Sequence, residues 1–267
     1  MLPFQAALLG LIQGATEFLP ISSSGHLVIF QKLLNIQGDT LSFDVFVHLG
    51  TLIAVILIFK DDIFTIFKKP FGKLPILLVI GTIPAIIIGF FFSDTIERLF
   101  SSGSTLGFEF FLTGIILLYA ESLSRRTQQS ASLPKNLSTM TSVDAITIGM
   151  AQAVAILPAV SRSGLTLAGA LSRKLDREFA LKYSFLLSIP AILGSALLDG
   201  VKIFKGAPCA SVSSVIIGMT AAAISGYFAI RFMLKIFTKK SLTPFAIYVF
   251  VIGGLVIIDQ FVTHIFF

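Results

Sequence analysis

Six runs of this chain are each long and apolar enough to cross a lipid bilayer. They lie at about Phe43–Phe59, Leu74–Phe92, Leu106–Leu123, Phe179–Leu198, Val212–Phe232 and Pro244–Phe266. At about 1.5 Å per residue, such runs span a hydrocarbon core about 30 Å thick. Inside lipid every backbone N–H and C=O must be bonded within the protein, so the spans are helices. Only 13% of the residues are charged, against about 25% in a soluble domain. The expected fold class is an all-α polytopic membrane protein. The formal charge of +6 would suit nucleic acid, but Lys and Arg fall in short loops between apolar runs, which is the positive-inside pattern. Nucleic acid is therefore excluded as a partner. The single Cys209 excludes an internal disulfide and a cysteine metal cluster.

Two further apolar elements are interrupted by polar residues. The first centres on Gln13 to His26, QGATEFLPISSSGH. Gln13 and Glu17 are four apart and share a helix face. Pro20 ends that helix, having no N–H and a ring that clashes with the preceding turn. Ser22, Ser23 and Ser24 then cap a second helix near Gly25 and His26. The second element runs from Val143 to Leu171 and breaks at LPAVSRSGLT, Leu157 to Thr166. A carboxylate in lipid costs roughly 2.5–3.5 kcal/mol, so ionisable residues there mark function.

The two halves resemble each other. G-L-I-Q from Gly10, L-P at Leu19–Pro20 and S-S-S-G ending at Gly25 match G-M-A-Q from Gly149, L-P at Leu157–Pro158 and S-R-S-G ending at Gly164. Gln to final Gly is twelve residues in both, with the inner L-P pair slipped by one place. IPAIIIG from Ile83 echoes IPAILG from Ile189. The expected organisation is one membrane domain: a first repeat over 1–123, a cytoplasmic linker over 124–142 and a second repeat over 143–267. Each repeat holds one re-entrant broken helix plus three spans.

Charge sets the expected topology. If both broken elements turn back, 15 of the 20 Lys and Arg residues fall on one side and 4 on the other, with Arg162 inside the membrane. If both cross, the bias disappears. The positive-inside rule prefers the first arrangement and makes the basic side cytoplasmic. The count decides only the second element; that the first also turns back follows from the repeat. Three spans separate the elements, so they enter from opposite faces, and both termini lie outside. This is an inverted-topology repeat whose breaks meet near the midplane.

The second break carries a permanent cation, Arg162, whose planar fork suits phosphate oxygens. Ser161, Ser163 and Thr166 flank it where a helix N-terminus offers free N–H groups. With Glu17, His26 and the Gln13 amide, the set fits phosphoryl transfer: a nucleophile or base, electrostatic clamps and a divalent metal. A gating Arg162–Glu17 pair without substrate is the plainer alternative. A transporter or lipid flippase using the repeat for alternating access is another.

The stretch Gln13-x-x-x-Glu17-Phe18-Leu19-Pro20-Ile21-Ser22-Ser23-Ser24-Gly25-His26 resembles the first motif of the bacterial undecaprenyl-diphosphate phosphatases of the bacitracin-resistance type. Pro158 to Thr166 resembles their second, P-G-x-S-R-S-x-x-T, and Ser184 to Ala191 extends the likeness. Ala159 stands where that family usually has Gly, and Gln13 where it has Glu or Gln. The resemblance implies a membrane-integral hydrolase that converts undecaprenyl diphosphate to the monophosphate carrier lipid and phosphate, in cell-wall synthesis and bacitracin resistance. It implies Glu17, His26 and Arg162 as catalytic residues. It implies a substrate-binding set of Gln13, Ser22, Ser23, Ser24, Ser161, Ser163, Gly164 and Thr166. A divalent cation, Mg or Ca, would be held by Gln13 and Glu17. The expected partners are the prenyl diphosphate, membrane lipids and, if a homodimer forms, a second copy. The expected place is the bacterial plasma membrane, with the site open to its outer face.

Other polar residues are expected to be structural. His48 reads as a packed, hydrogen-bonded histidine and Asp44 as a cap of its span. Glu109 and Glu121 read as interfacial, and His264 as solvated.

Overall fold

The structure, a computed structural model, describes residues 1–36, 40–92, 95, 103–129, 133–205, 210–237 and 240–266. Among them are eleven α-helices and no strand. In chain order they are α1 (Pro3–Glu17), α2 (Ser23–Leu33), α3 (Leu41–Ile58), α4 (Lys60–Lys68), α5 (Lys73–Phe91), α6 (Leu106–Gln129), α7 (Ser142–Val154), α8 (Arg162–Ser172), α9 (Arg177–Phe204), α10 (Val212–Phe237) and α11 (Thr243–Ile258). A π-helical turn, Asp259–Thr263, follows α11. Six of these helices are long and apolar enough to span: α3, α5, α6, α9, α10, and α11 with its π turn. The chain is a multi-pass membrane protein.

The remaining apolar helices pair into two hairpins. In the first, Gln5 Nε2 near the start of α1 donates to Leu34 O just past α2, at 3.2 Å. In the second, Arg173 Nε just past α8 donates to Asp144 Oδ1 in the first turn of α7, at 2.7 Å. In each case the two ends of the element meet, so the chain turns back at its break. Asp144 is fully buried and also binds Lys135 Nζ at 2.9 Å. Its carboxylate closes a capping box with Thr141, which satisfies two orphan amides of the helix start.

Each hairpin's first helix lies against a distant span at backbone contact. A Cβ on Gly10 of α1 would sit 2.2 Å from Gly218 O of α10, and one on Gly149 of α7 would sit 2.3 Å from Gly81 O of α5. Small residues allow such approach in membranes, where burial itself drives little association. α6 pairs with α11 and also packs on α8. Pro84 and Pro190 sit inside α5 and α9. Neighbouring helices tolerate such breaks at membrane depth.

Two regions differ from the sequence reading. The stretch Lys60–Lys73, between the first two apolar runs where the sequence implies a short loop, contains α4. The linker expected from Ser124 begins inside a helix, because α6 continues to Gln129. The i,i+4 pair Arg125–Glu121, at 2.9 Å, and the absence of Gly or Pro before Pro134 let the helix run on. Arg98, Ser130, Cys209 and Lys239 lie outside the described residues.

Candidate active site

The two breaks touch. A Cβ on Gly25 would lie 2.9 Å from Ala159 Cβ, and Ser163 Oγ donates to Leu19 O at 3.1 Å. Local chemistry builds each tip. Ser22 and Ser161 cap α2 and α8, accepting from Gly25 N at 3.3 Å and Gly164 N at 3.1 Å. Thr113 of α6 pins the second tip: its hydroxyl donates to Ala159 O at 3.2 Å and accepts from Ser161 N at 3.1 Å. Ala159 has φ 46°, the left-handed region that disfavours a Cβ. The position where the resembling family usually has Gly is thus one where the backbone asks for it.

Glu17 is the centre of the site. Its Oε1 accepts from Arg162 Nη2 at 2.5 Å. Its Oε2 accepts from Ser23 Oγ at 2.5 Å and from Gln13 Nε2 at 3.0 Å. Glu17 is 8% exposed, so the pair is all but desolvated. Removing either partner would strand a buried charge, a loss of about 3–5 kcal/mol. The carboxylate belongs to the first hairpin and the guanidinium to the second, 145 residues apart. The pairing held open by the plainer reading is therefore present, inside a cluster of hydroxyls and helix N-termini.

His26 lies one turn into α2 and is buried. Its Nδ1 is 2.6 Å from Ser22 O. A carbonyl only accepts, so Nδ1 carries a hydrogen, and in the neutral ring Nε2 bears the lone pair. Nε2 is 2.8 Å from the Tyr248 hydroxyl, which donates to it in that neutral tautomer.

Most of the expected residues gather here, but their roles divide. Gln13, Glu17, Ser23 and Arg162 form the charged cluster, and Ser163 bridges to the other tip. Ser22, Ser161 and Gly164 are spent on caps, and Ser24 Oγ lies 3.3 Å from Ser22 Oγ. Thr166 is fully buried and faces Ser184 Oγ at 2.6 Å and Arg162 O at 2.8 Å. It braces the Arg162 turn against α9 instead of facing open space, while Arg162 Nη1 reaches Ser184 O at 3.5 Å. His48 binds Asp44 O through Nδ1 at 2.6 Å, as a packed histidine would, yet its Nε2 is 3.7 Å from Glu17 Oε2. Asp44 accepts from Gln31 Nε2 at 2.8 Å and from Thr40 Oγ1 at 3.1 Å. Glu109 and Glu121, expected at the interface, are both buried, and Glu121 accepts from Leu242 N at 3.0 Å. His264 is exposed. Tyr248 and Thr113 gave no signal in sequence, since each is tied to its partner only by the fold.

The family model described as Bacitracin resistance protein BacA matches residues 6–255. The chain belongs to that family. Among BacA relatives, a Carboxydothermus hydrogenoformans protein named undecaprenyl-diphosphatase is 52% identical over 96% of this chain and 97% of its own length. A Halothermothrix orenii protein of the same name is 46% identical, over 96% and 97%. Undecaprenyl-diphosphatase 4 of Bacillus thuringiensis strain Al Hakam is 44% identical, over 98% of each. The BacA match spans both breaks and so contains Glu17, His26 and Arg162.

Proposed function

We propose that this chain is a membrane-integral phosphatase that hydrolyses undecaprenyl diphosphate to undecaprenyl phosphate and inorganic phosphate, recycling the carrier lipid and opposing bacitracin. The observation that carries this reading is the Glu17–Arg162 pair across two touching helix breaks, in a chain whose relatives are named undecaprenyl-diphosphatase. Arg162 clamps the diphosphate oxygens, and the N-termini of α2 and α8 add amide donors. When the substrate binds, Arg162 exchanges the Glu17 carboxylate for phosphate, which frees Glu17 to take a proton from water. His26 offers a neutral Nε2 lone pair, so it acts as nucleophile rather than acid in this state.

A divalent cation fits the donor set. Gln13 Oε1 is buried without a hydrogen-bond partner. His48 Nε2 stands 3.7 Å from Glu17 Oε2, beside the same carboxylate oxygen. Gln13 Oε1 and Glu17 Oε2 would hold the ion, and oxygen donors suit Mg²⁺ or Ca²⁺. It would neutralise phosphate charge.

The broken hairpins support an inverted-topology repeat. The charge split supports a plasma-membrane orientation with Lys60–Lys73 and Arg173–Lys182 cytoplasmic. Both termini, and the opening of the site, are then outside. Phosphate release from a prenyl diphosphate by purified protein in detergent tests the reading. No release from wild type with Mg²⁺ or Ca²⁺ present overturns it, and a trapped phosphohistidine at His26 identifies the nucleophile.

A further inference from the structure

We propose that Tyr248 of α11 is a further catalytic residue, filling His26 Nε2 at rest and passing its hydroxyl to a phosphoryl oxygen when that nitrogen reacts. The inference rests on His26 being the nucleophile in the proposed hydrolysis.

The imidazole is held on three sides. Nδ1–H is fixed to Ser22 O at 2.6 Å. The Phe110 ring meets the imidazole edge to face, with centroids 5.5 Å apart and planes at 88°. The Tyr248 ring lies nearly parallel to it, at 5.7 Å and 6°, with its hydroxyl 2.8 Å from Nε2. Ser22 is 3% exposed and Phe110 fully buried, whereas Tyr248 is 41% exposed. Of the three contacts, only the one at Nε2 has room to move. Ser22 selects the tautomer, and Tyr248 holds the ring with its lone pair in a fixed direction.

In the reacting state the Nε2 lone pair bonds to the terminal phosphorus. The bridging P–O bond breaks, and its electron pair leaves with the lipid monophosphate. Water then bonds to phosphorus as Glu17 takes its proton, and the P–N bond breaks with its electron pair returning to Nε2 as phosphate leaves. The Tyr248 hydroxyl keeps its proton throughout and donates to a non-bridging oxygen of the transferred group, where charge spreads. The displaced phenol thus loses no hydrogen bond, and the barrier to vacating Nε2 is lowered.

Tyr248→Phe removes the hydroxyl and keeps the ring. Turnover should fall about 10–100-fold, with KM for the prenyl diphosphate within about threefold of wild type, the pattern of a contact made in the transition state. A second readout is independent of activity. The chain has three histidines, so ¹⁵N-histidine labelling, with His48→Gln and His264→Gln for assignment, isolates His26. Wild type should show the Nδ1–H tautomer. In Tyr248→Phe the Nε2 resonance should move downfield while Nδ1 stays. Turnover within threefold of wild type, an unmoved Nε2 resonance, or an Nε2–H tautomer in wild type would each overturn the proposal. Failure of wild type to release phosphate would overturn the functional reading and with it the role of Tyr248 in turnover. The resonances, which report the Tyr248 contact at rest, tell that outcome apart from failure of the contact itself.

Discussion

The two hairpins begin from the same plan and are equipped differently. Both carry a Gln followed twelve residues later by the Gly of a capped helix start, Gln13 to Gly25 and Gln152 to Gly164. At matching positions Glu17 corresponds to Ile156, Ser23 to Arg162 and His26, just past the Gly, to Leu165. The first hairpin therefore holds the carboxylate and imidazole, and the second holds the cation. Gln13 donates to Glu17, while neither amide atom of Gln152, with Ile156 in the matching place, has a hydrogen-bond partner. Anchoring differs in the opposite sense. The outer end of the second hairpin is tied by Asp144 to Lys135 and Arg173, and that of the first by the Gln5–Leu34 bond. On the proposed function, one hairpin supplies reactivity and the other a clamp on a firm mount.

The largest effect should come from disturbing this division. Glu17→Gln and Arg162→Ala should each lower phosphate release about a thousandfold. Exchanging the charges, Glu17→Arg with Arg162→Glu, should restore thermal stability relative to either single change without restoring turnover. Activity in the exchanged variant would show that the side carrying each charge does not matter.

The mount gives the next effect. Asp144 stands at the mouth of α7, outside the six spans. Burial raises its pKa, but hydrogen bonds from Lys135, Arg173 and Thr141 outweigh that and bring it from 3.8 to about 2. A depressed carboxylate contributes fully above its unfolded pKa and loses that contribution as pH falls toward the folded one. Asp144→Asn should destabilise by about 2–3 kcal/mol at neutral pH. It should also flatten the fall of the melting temperature between pH 4 and 2; an unchanged acid limb would remove Asp144 from the anchor.

Strain separates the tips further. Ala159→Gly relieves a left-handed alanine and should stabilise by about 1 kcal/mol, a rise of about 2–4 °C in melting temperature. In the first hairpin Ser22→Ala should instead destabilise by about 1 kcal/mol, because φ 69° remains and the cap to Gly25 is lost. A melting temperature that falls for Ala159→Gly would show that the methyl's packing outweighs the strain.

The smallest effect sharpens the comparison most. Gln152→Met should leave turnover unchanged and shift stability by no more than about 1 kcal/mol, upward, since it removes an unpartnered amide. The matching Gln13→Met should lower turnover, because it takes a donor from Glu17. Equal effects at both positions would mean that the two glutamines do the same work.

Much of this was legible in the residues. Apolar run length gave the six spans, since bilayer thickness sets helix length independently of what packs alongside. Pro20 and Pro158 with Ser22 and Ser161 marked the breaks, because helix stops and caps are local chemistry. Glu17, His26 and Arg162 stood out through the cost of ionisable groups in lipid. Sequence missed where α6 ends, because an i,i+4 pair and good helix formers carried it past the apolar stretch. Nor does sequence show that the Thr166 hydroxyl, expected to bind substrate, is also bonded to Ser184 Oγ and Arg162 O.

What the tertiary structure alone decided is which groups meet. The Glu17–Arg162 pair joins residues 145 apart and the His26–Tyr248 bond residues 222 apart. The approach of His48 to Glu17 likewise crosses from one helix to another. The repeat implied that the two breaks meet and offered Glu17–Arg162 as an alternative, but no spacing encodes which atoms bond in such meetings. They follow from glycine contacts such as Gly10 on Gly218 and Gly149 on Gly81, which set how deeply each hairpin seats against its span. Chain-local physics determines where helices start and stop; the seating of one helix on another determines whose side chains share a hydrogen bond.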